Sequence, residues 1–258
     1  MLKEKTFFQN IDRVKTAILR LKEFEPEEGY YLAFSGGKDS IVIKYLADLS
    51  GVKYDSHYSV TTIDPPELIY FIRKYYQDVT WEYPNKPFLE RMVEKGFPMR
   101  QKRWCCAEYK ETGGSGRIVV TGIRKAESAS RANRKMVETC YKDTTKRFLN
   151  IIHDWSDSDV WQFIREQKIP YCELYDQGYD RIGCMFCPLA KQSNRYRDLE
   201  RYPKFAKLWE KAFIKMYQKK KSEGKTSVDR WKDGSEMFTW WIQKTPEKHI
   251  PAQFTMFE

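Results

Sequence analysis

The chain of 258 residues has the length of one large α/β domain, or of one domain with a small appendage. Its hydrophobic content of 41% suffices for a substantial buried core, and no apolar run approaches the ~20 residues that a membrane-spanning helix needs. The N-terminus lacks the apolar stretch of a signal peptide, so we expect a cytoplasmic protein with reduced thiols. In that setting, six cysteines indicate metal binding or catalysis rather than disulfides.

The net charge of +10 is unevenly distributed along the chain. Residues 191–225 contain twelve Lys or Arg and four Asp or Glu, and residues 100–135 contain ten and three. Such patches favour anionic partners, namely nucleotides, adenylyl-sulfates or nucleic acids. A solvated helix face explains part of any lysine run, so the charge alone does not decide whether a nucleic acid is a partner.

Near the start, apolar residues recur every three or four positions and predict an amphipathic first helix, at Phe7, Ile11, Val14, Ile18 and Leu21. Residues 30–34 then form an apolar and aromatic run that predicts a buried strand, and a helical apolar pattern follows from Ile41 to Leu49.

The turn between that strand and that helix reads Ser35-Gly36-Gly37-Lys38-Asp39-Ser40. Glycines allow close approach of the backbone, and the N–H groups and dipole of a helix N-terminus favour negative charge. The serine hydroxyls add donors and the lysine adds a positive charge. The segment therefore predicts a phosphate-binding loop, although its spacing differs from that of a Walker A loop.

A second strand is predicted up to Val60, followed by a helix that runs to about Gln77. Asp64 is the expected N-cap of this helix, with Glu67 in a capping box. Because the segment lies at the carboxyl end of a strand, beside the phosphate loop, Thr62 and Asp64 are also candidate ligand-binding residues.

Further apolar patterns predict strands at 79–83, 117–121 and 148–152 and helices at 88–94, 157–166, 205–221 and 235–243. Ser156 and Asp159 are expected to cap the second of these helices. Gly122 and Arg124 directly follow the strand at 117–121. We expect Arg124 and Arg131 to face the same pocket as Lys38, because Arg grips phosphate or sulfate in a bidentate manner. The alternative for Arg131 is an ion pair with Glu127.

Four of the cysteines form a pattern that is typical of a metal site. Cys184 and Cys187 make a chelating Cys-x-x-Cys turn, and the neighbours Cys105 and Cys106 add two thiols. Soft thiolates suit zinc or a [4Fe–4S] cluster, and spacing alone does not separate the two. Cys140 and Cys172 are expected to be buried apolar residues.

Together these segments resemble the phosphoadenosine-phosphosulfate (PAPS) reductase family, within the PP-loop superfamily of adenine-nucleotide α-hydrolases. The resemblance covers about residues 30–190 and is carried by residues 35–40, 64–67, 103–106, 122–131, 154–161, 174–179 and 183–187. It implies a Rossmann-like (HUP-type) α/β fold, with a mostly parallel sheet and helices on both faces. Residues 1–190 would be the nucleotide-binding domain, and residues 191–258 a basic C-terminal helical extension packed on it.

The resemblance also implies roles for individual residues. The nucleotide would be bound by Ser35, Gly36, Gly37, Lys38, Asp39, Ser40, Thr62, Gly122 and Arg124. The catalytic residues would be Lys38, Asp39, Asp64, Arg124 and Arg131. A [4Fe–4S] cluster would be held by Cys105, Cys106, Cys184 and Cys187, as in adenylyl-sulfate (APS) reductases.

Three functions remain open at this stage. The favoured one is an ATP pyrophosphatase that uses Mg²⁺ at Asp39 or Asp64 and adenylates an anionic acceptor, DNA or tRNA, for sulfur incorporation; a cysteine desulfurase would supply the sulfur. The second is reduction of APS or PAPS, with thioredoxin as a candidate partner. It departs from the family pattern because the reductases carry a nucleophilic cysteine in a Glu-Cys-Gly-Leu-His motif, and here no cysteine follows Cys187. The third is a zinc-stabilised nucleic-acid-binding module. The oligomeric state stays open.

Overall fold

The computed structural model of the protein describes residues 2–5 and 10–243. Contacts divide the chain into two units, the first comprising Met1–Asn85 and Cys105–Cys184 and the second comprising Lys86–Trp104 and Met185–Glu258. The division at residue 190 that the sequence suggested stays a prediction, and Lys86–Trp104 is a part of the second unit that sequence reasoning did not assign to it.

The strands of the described residues all belong to the first unit, and they are β1 (Lys3–Lys5), β2 (Asn10–Asp12), β3 (Tyr30–Ala33), β4 (Tyr54–Ser59), β5 (Thr80–Glu82), β6 (Ile118–Val120), β7 (Val137–Thr139) and β8 (Arg147–Leu149). The described helices are α1 (Arg13–Glu23), α2 (Lys38–Ser50), α3 (Pro66–Tyr75), α4 (Phe88–Lys95), α5 (Trp104–Tyr109), α6 (Ala129–Ala132), α7 (Asp157–Glu166), α8 (Gln192–Arg201), α9 (Pro203–Ser222) and α10 (Gly234–Gln243).

Six strands of the first unit form one sheet in the order β5-β4-β3-β6-β8-β7. All neighbours are parallel except β7, which runs antiparallel to β8 at the edge. The central strand β3 pairs with β4 on one edge and β6 on the other, with Leu32 opposite Ser56 and Val120. Its first three residues are buried, which agrees with a strand of a parallel sheet covered on both faces. The predicted Rossmann-like α/β fold is confirmed. Strands β1 and β2 form a separate antiparallel pair.

The core of the first unit lies against α2, whose apolar residues on several sides are buried. This helix contacts both α1 and α7. On α7, Phe163 packs edge-on against Trp155 with ring centroids 5.5 Å apart. The pattern 41–49 thus predicted a helix whose residues up to Ala47 are mostly buried, whereas Leu49 at its end is exposed.

Helix caps show which local predictions hold. Ser156 accepts a hydrogen bond from the backbone N–H of Asp159, and the Asp159 carboxylate accepts from the N–H of Ser156, so the predicted capping box is confirmed. The prediction for α3 was wrong: Pro65 occupies the N-cap, and Asp64 instead accepts a 2.9 Å hydrogen bond from the N–H of Thr61. Helix α1 begins at Arg13, and Phe7 lies outside the described residues.

The second unit is built from α4, α8, α9 and α10, which confirms the predicted C-terminal helices. Trp209 of α9 and Trp241 of α10 stack at 5.0 Å, and the indole N–H of Trp241 donates to the carbonyl of Pro98. Close approach of the two helices requires Gly234, since a Cβ there would lie 2.4 Å from the Cα of Ile214. Among the described helices, none combines the length and apolar character needed to cross a bilayer.

Candidate active site

The turn from β3 to α2 contains residues 35–40, which the sequence predicts to bind phosphate. Gly36 has a φ of +69°, and a Cβ at this position would lie 2.7 Å from Cδ1 of Leu68 and 2.8 Å from Cδ1 of Ile72 on α3. A larger residue would therefore have to displace these side chains and adopt a strained backbone conformation, and glycine avoids both. Gly37 is the N-cap of α2 and supplies no side-chain cap, so the N–H groups of the first turn depend on acceptors from other segments.

Hydroxyl groups fix the shape of this loop. Ser40 Oγ donates to the carbonyl of Gly37 at 2.8 Å, and Ser35 Oγ donates to Ser40 Oγ at 3.2 Å. The N–H of Gly37 donates to Ser35 Oγ at 3.4 Å. The two serines therefore form hydrogen bonds within the loop itself and fix its backbone conformation.

A segment late in the first unit lies against the loop at Lys38. The backbone N–H of Lys38 donates to the hydroxyl of Tyr175 at 2.8 Å, and its Nζ donates to the carbonyl of Asp180 at 3.4 Å. Burial raises the pKa of Tyr175, so this group stays a hydroxyl that can accept the N–H. Sequence reasoning missed Tyr175 as a site residue, although the segment 174–187 carried part of the family resemblance.

Arg124 joins two carboxylates beside the loop. Its Nε donates to Oδ1 of Asp39 at 2.6 Å, and one terminal nitrogen donates to Oδ1 of Asp157 at 3.0 Å. Only 2% of the Arg124 side chain is exposed. Burial raises the pKa of Asp39, although the charges of Lys38 and Arg124 oppose that rise. The structure thus brings together Lys38, Asp39 and Arg124, as predicted, and adds Asp157.

Gly122 makes this arrangement sterically feasible. A Cβ on Gly122 would lie 2.9 Å from Cβ of Asp39 and 3.1 Å from its carbonyl carbon. The strand end before Arg124 can therefore approach the first turn of α2 closely, which is a packing reason for glycine at this position.

Arg131 takes the alternative that the sequence left open. Its guanidinium forms an ion pair with Glu127, four residues earlier. Glu127 also accepts a 3.0 Å hydrogen bond from the N–H of Arg124. Within the described part of the chain, no hydrogen bond or ion pair joins the Arg131 guanidinium to residues 35–40.

The carboxyl end of β4 carries a strained residue. Thr62 has a φ of +64°, a left-handed conformation that is rare for a β-branched residue and costs about 1–3 kcal/mol. On one side of it, Thr61 Oγ1 accepts a 3.6 Å hydrogen bond from the thiol of Cys184. Burial, followed by the charge of Asp64, raises the pKa of Tyr58 on the same strand. The structure therefore brings Cys184 to the strand end that carries Thr62 and Asp64.

The four cysteines predicted to bind a metal are all partly exposed thiols. Cys105 and Cys106 lie on α5 in the first unit, whereas Cys187 belongs to the second unit. Across residues 2–5 and 10–243, no three His, Cys, Asp or Glu side chains come together as a metal-ligand group. The predicted [4Fe–4S] cluster therefore stays a prediction from the cysteine pattern, and we assign it no step in a reaction. Cys140 and Cys172 are buried, as predicted.

The sequence profile of the phosphoadenosine phosphosulfate reductase domain matches residues 29–190 of the chain. The chain belongs to this family. The match begins just before β3 and includes the loop, Arg124, Asp157 and Tyr175. An adenosine 5'-phosphosulfate reductase of Oceanobacillus iheyensis is 32% identical over 127 residues, which are 43% of this chain and 52% of that protein.

The chain is also similar to two uncharacterized proteins. An uncharacterized protein of Methanocaldococcus jannaschii is 32% identical over 223 residues, which are 78% of this chain and 45% of that protein. A second protein of that organism is 30% identical over 194 residues, or 69% of this chain and 46% of its own length. The chain thus spans about half the length of the curated relatives it matches.

A solved structure agrees with the fold. The phosphoadenylyl-sulfate reductase of Candida auris, crystallised as a phosphate complex, superposes with a TM-score of 0.50 at 21% identity, covering 66% of this chain and 88% of that chain. At this identity the similarity supports the fold only. The matched family and the reductases among the relatives are enzymes, which agrees with the prediction that this chain is an enzyme.

Proposed function

We propose that residues 35–40 bind the phosphates of an adenine nucleotide, with Lys38 and Arg124 as the cations of the site. The observation that carries this proposal is the phosphate loop itself. A glycine turn packed against α3 leads into the N-terminus of α2, and two almost fully buried cations, Lys38 and Arg124, lie at this turn. Membership of the reductase family supplies the nucleotide as the ligand class.

Each residue has a distinct task in this proposal. Lys38 neutralises phosphate as a point charge, whereas Asp39 holds the guanidinium of Arg124 in a fixed orientation. Gly36 and Gly37 admit the phosphate close to the backbone. Thr62 and Gly122 shape the strand ends beside it. For Arg131, the pairing with Glu127 supports an indirect role, in which the Glu127 carboxylate holds the backbone at Arg124.

Mg²⁺ fits Asp64 better than Asp39. Both oxygens of Asp39 face cations, with Oδ1 2.6 Å from Nε of Arg124 and Oδ2 3.7 Å from Nζ of Lys38. A divalent cation would meet repulsion there. Asp64 has no cationic side chain paired with it among the described residues, and its carboxylate lies at the strand end next to the loop. A metal ion at Asp64 would neutralise phosphate charge.

The reaction best supported by the relatives is reduction of an adenylyl-sulfate. In this reaction a thiolate attacks the sulfate sulfur, the bond from sulfur to the phosphate oxygen breaks, and the nucleotide leaves as a nucleoside phosphate. A second thiol then attacks the resulting S-sulfonate, so that sulfite departs and a disulfide forms. The two electrons come from the two thiols, which a thioredoxin-type partner would supply.

A second candidate is an ATP pyrophosphatase that adenylates DNA or tRNA before sulfur incorporation. One observation favours it. Helix α9 carries exposed lysines at spacings of three or four residues, and a helix of 3.6 residues per turn places them along one face, at Lys204, Lys207, Lys211 and Lys215. A charged face of this kind suits a phosphate backbone.

Product analysis separates the two reactions. The purified protein is incubated with APS and PAPS in the presence of thioredoxin, and separately with ATP, Mg²⁺ and nucleic acid. Sulfite formation from an adenylyl-sulfate, lost in Lys38→Ala, supports reduction. Pyrophosphate and AMP formed from ATP support the pyrophosphatase, and the absence of all these products contradicts both.

We also propose, from the cysteine pattern alone, that Cys105, Cys106, Cys184 and Cys187 hold a [4Fe–4S] cluster in the cytoplasm. The test is metal analysis and absorbance after anaerobic purification. Four irons per chain that vanish in Cys184→Ser support the cluster, whereas one zinc without iron supports a structural site. A Cys172→Ser variant is the matched control, because this thiol is buried elsewhere.

A further inference from the structure

Asp157 contacts both cations of the candidate nucleotide site. Its Oδ1 accepts a 3.0 Å hydrogen bond from a terminal nitrogen of Arg124 and lies 3.3 Å from Nζ of Lys38. A single carboxylate oxygen therefore lies between the two groups that would bind a phosphate oxygen. This residue was part of no site predicted from the sequence.

We propose that Asp157 determines the affinity of the site for anionic ligands, by occupying Lys38 and Arg124 in the ligand-free chain and competing there with phosphate or sulfate. The inference rests on the nucleotide site proposed above. It assigns Asp157 a role that differs from that of Asp39, the other carboxylate bound to the same guanidinium.

Exposure distinguishes the two carboxylates. The side chain of Asp157 is 62% exposed, whereas those of Lys38 and Arg124 are 8% and 2% exposed. Asp157 therefore covers the buried cations from the solvent side, where a ligand arrives. Asp39 is 21% exposed, and its backbone is packed against Gly122. Asp39 is thus a fixed partner, and Asp157 is the one that can be displaced.

The local structure allows this displacement without unfolding α7. Asp157 is the first residue of the helix, but the capping box is formed by Ser156 and Asp159. The Asp157 side chain can therefore leave the cations while the helix start remains intact. The positive end of the helix dipole stabilises its negative charge in either position.

The competition between Asp157 and a phosphate is electrostatic, and it depends on the charges of Lys38, Arg124, Asp39 and Asp157. Two cations and two carboxylates balance in the absence of ligand. A phosphate that enters must therefore displace Asp157 or bind against its negative charge, and either event weakens binding. Asparagine keeps the shape of the side chain and removes the charge, so Asp157→Asn should bind anionic ligands more tightly.

The test is a calorimetric titration of ATP, APS, PAPS and inorganic pyrophosphate into the wild-type protein and Asp157→Asn. Because hydrogen bonds to charged groups contribute about 1.5–3 kcal/mol, we expect affinity to rise roughly tenfold or more. Glu166→Gln, which removes one charge from the other end of α7, is the matched control and should change affinity by less than about twofold. Asp157→Glu should retain the wild-type affinity. Circular dichroism verifies that each variant is folded.

Each outcome has a defined meaning. If Asp157→Asn binds as the wild type does, or more weakly, Asp157 does not compete and the inference is wrong, while the nucleotide site stands. A weaker affinity would show that Asp157 positions Arg124. If neither protein binds any of the four probes, the nucleotide site and the inference are both overturned. If Asp157→Asn binds more tightly than the wild type while the control variants do not, and if high salt reduces this difference in affinity, the result supports both the nucleotide site and the inference.

Discussion

Replacing Arg124 by methionine should strongly destabilise the first unit. The guanidinium is almost fully buried and bridges Asp39, Asp157 and the carbonyl of Trp155. Methionine keeps an apolar stem of similar length but leaves the Asp39 carboxylate without its closest cation. Loss of one partner from a buried ion pair costs about 3–5 kcal/mol. Because Nζ of Lys38 remains 3.7 Å from Asp39, we expect the lower end of that range, about 3 kcal/mol.

Urea unfolding followed by far-ultraviolet circular dichroism measures this change. The matched control is Arg20→Met, since Arg20 pairs with Asp154 at 2.6 Å but both side chains are partly exposed, and pairs of that kind contribute about 1 kcal/mol or less. Adding Asp39→Asn to Arg124→Met should recover part of the loss, because the unpaired carboxylate is then removed. A cost for Arg124→Met no larger than that for Arg20→Met would refute the buried ion-pair network.

Three further predictions follow from particular contacts. Gly36→Ala should cost roughly 2 kcal/mol in unfolding free energy and weaken nucleotide binding, whereas Gly51→Ala, with a φ of +73° but open space around it, should cost only about 1 kcal/mol; equal losses would contradict a steric role for Gly36. The hydrogen bond from Arg117 lowers the pKa of Asp55, so this carboxylate stabilises the fold above its unfolded-state pKa of about 3.9 and loses that effect as pH falls through the lowered value. As pH falls below about 3.9, the unfolding free energy of Arg117→Gln should therefore decrease less than that of the wild type. If the unfolding free energies of the two proteins fall in parallel, Arg117 is not the cause of the lowered pKa of Asp55. Tyr175→Phe removes the acceptor of the Lys38 N–H and should cost about 1 kcal/mol by urea unfolding; an unchanged midpoint would show that the bond contributes nothing.

Local chemistry explains what could be predicted from the sequence. The strand–turn–helix around residues 35–40, the Ser156 capping box and the buried run of β3 depend on residues close in the chain, and the structure places all three where the pattern indicated. The binding of phosphate by residues 35–40 stays a prediction. The sequence also predicted that Arg124 lies near Lys38, and in the structure its guanidinium donates a hydrogen bond to Asp39 beside the loop.

Tertiary contacts explain what the sequence could not predict. Arg124 and Asp39 are 85 residues apart, and Asp157 joins them from a third segment, so no local spacing reveals the network. The edge strand β7 has three residues and too short a pattern to be recognised. The prediction that Asp64 is the N-cap of α3 was wrong because Pro65 has the extended backbone of an N-cap residue. The Asp64 side chain instead accepts a hydrogen bond from the N–H of Thr61.

The central claim is that the loop at residues 35–40 binds an adenine nucleotide with Lys38 in contact with its phosphates. Equilibrium titration of ATP, APS and PAPS into the wild-type protein and Lys38→Ala tests it most directly. Since a hydrogen bond to a charged group contributes about 1.5–3 kcal/mol, the account predicts that at least one of the three binds and that Lys38→Ala weakens it about tenfold or more. Absence of binding by all three, or equal affinity of the two proteins, would contradict it.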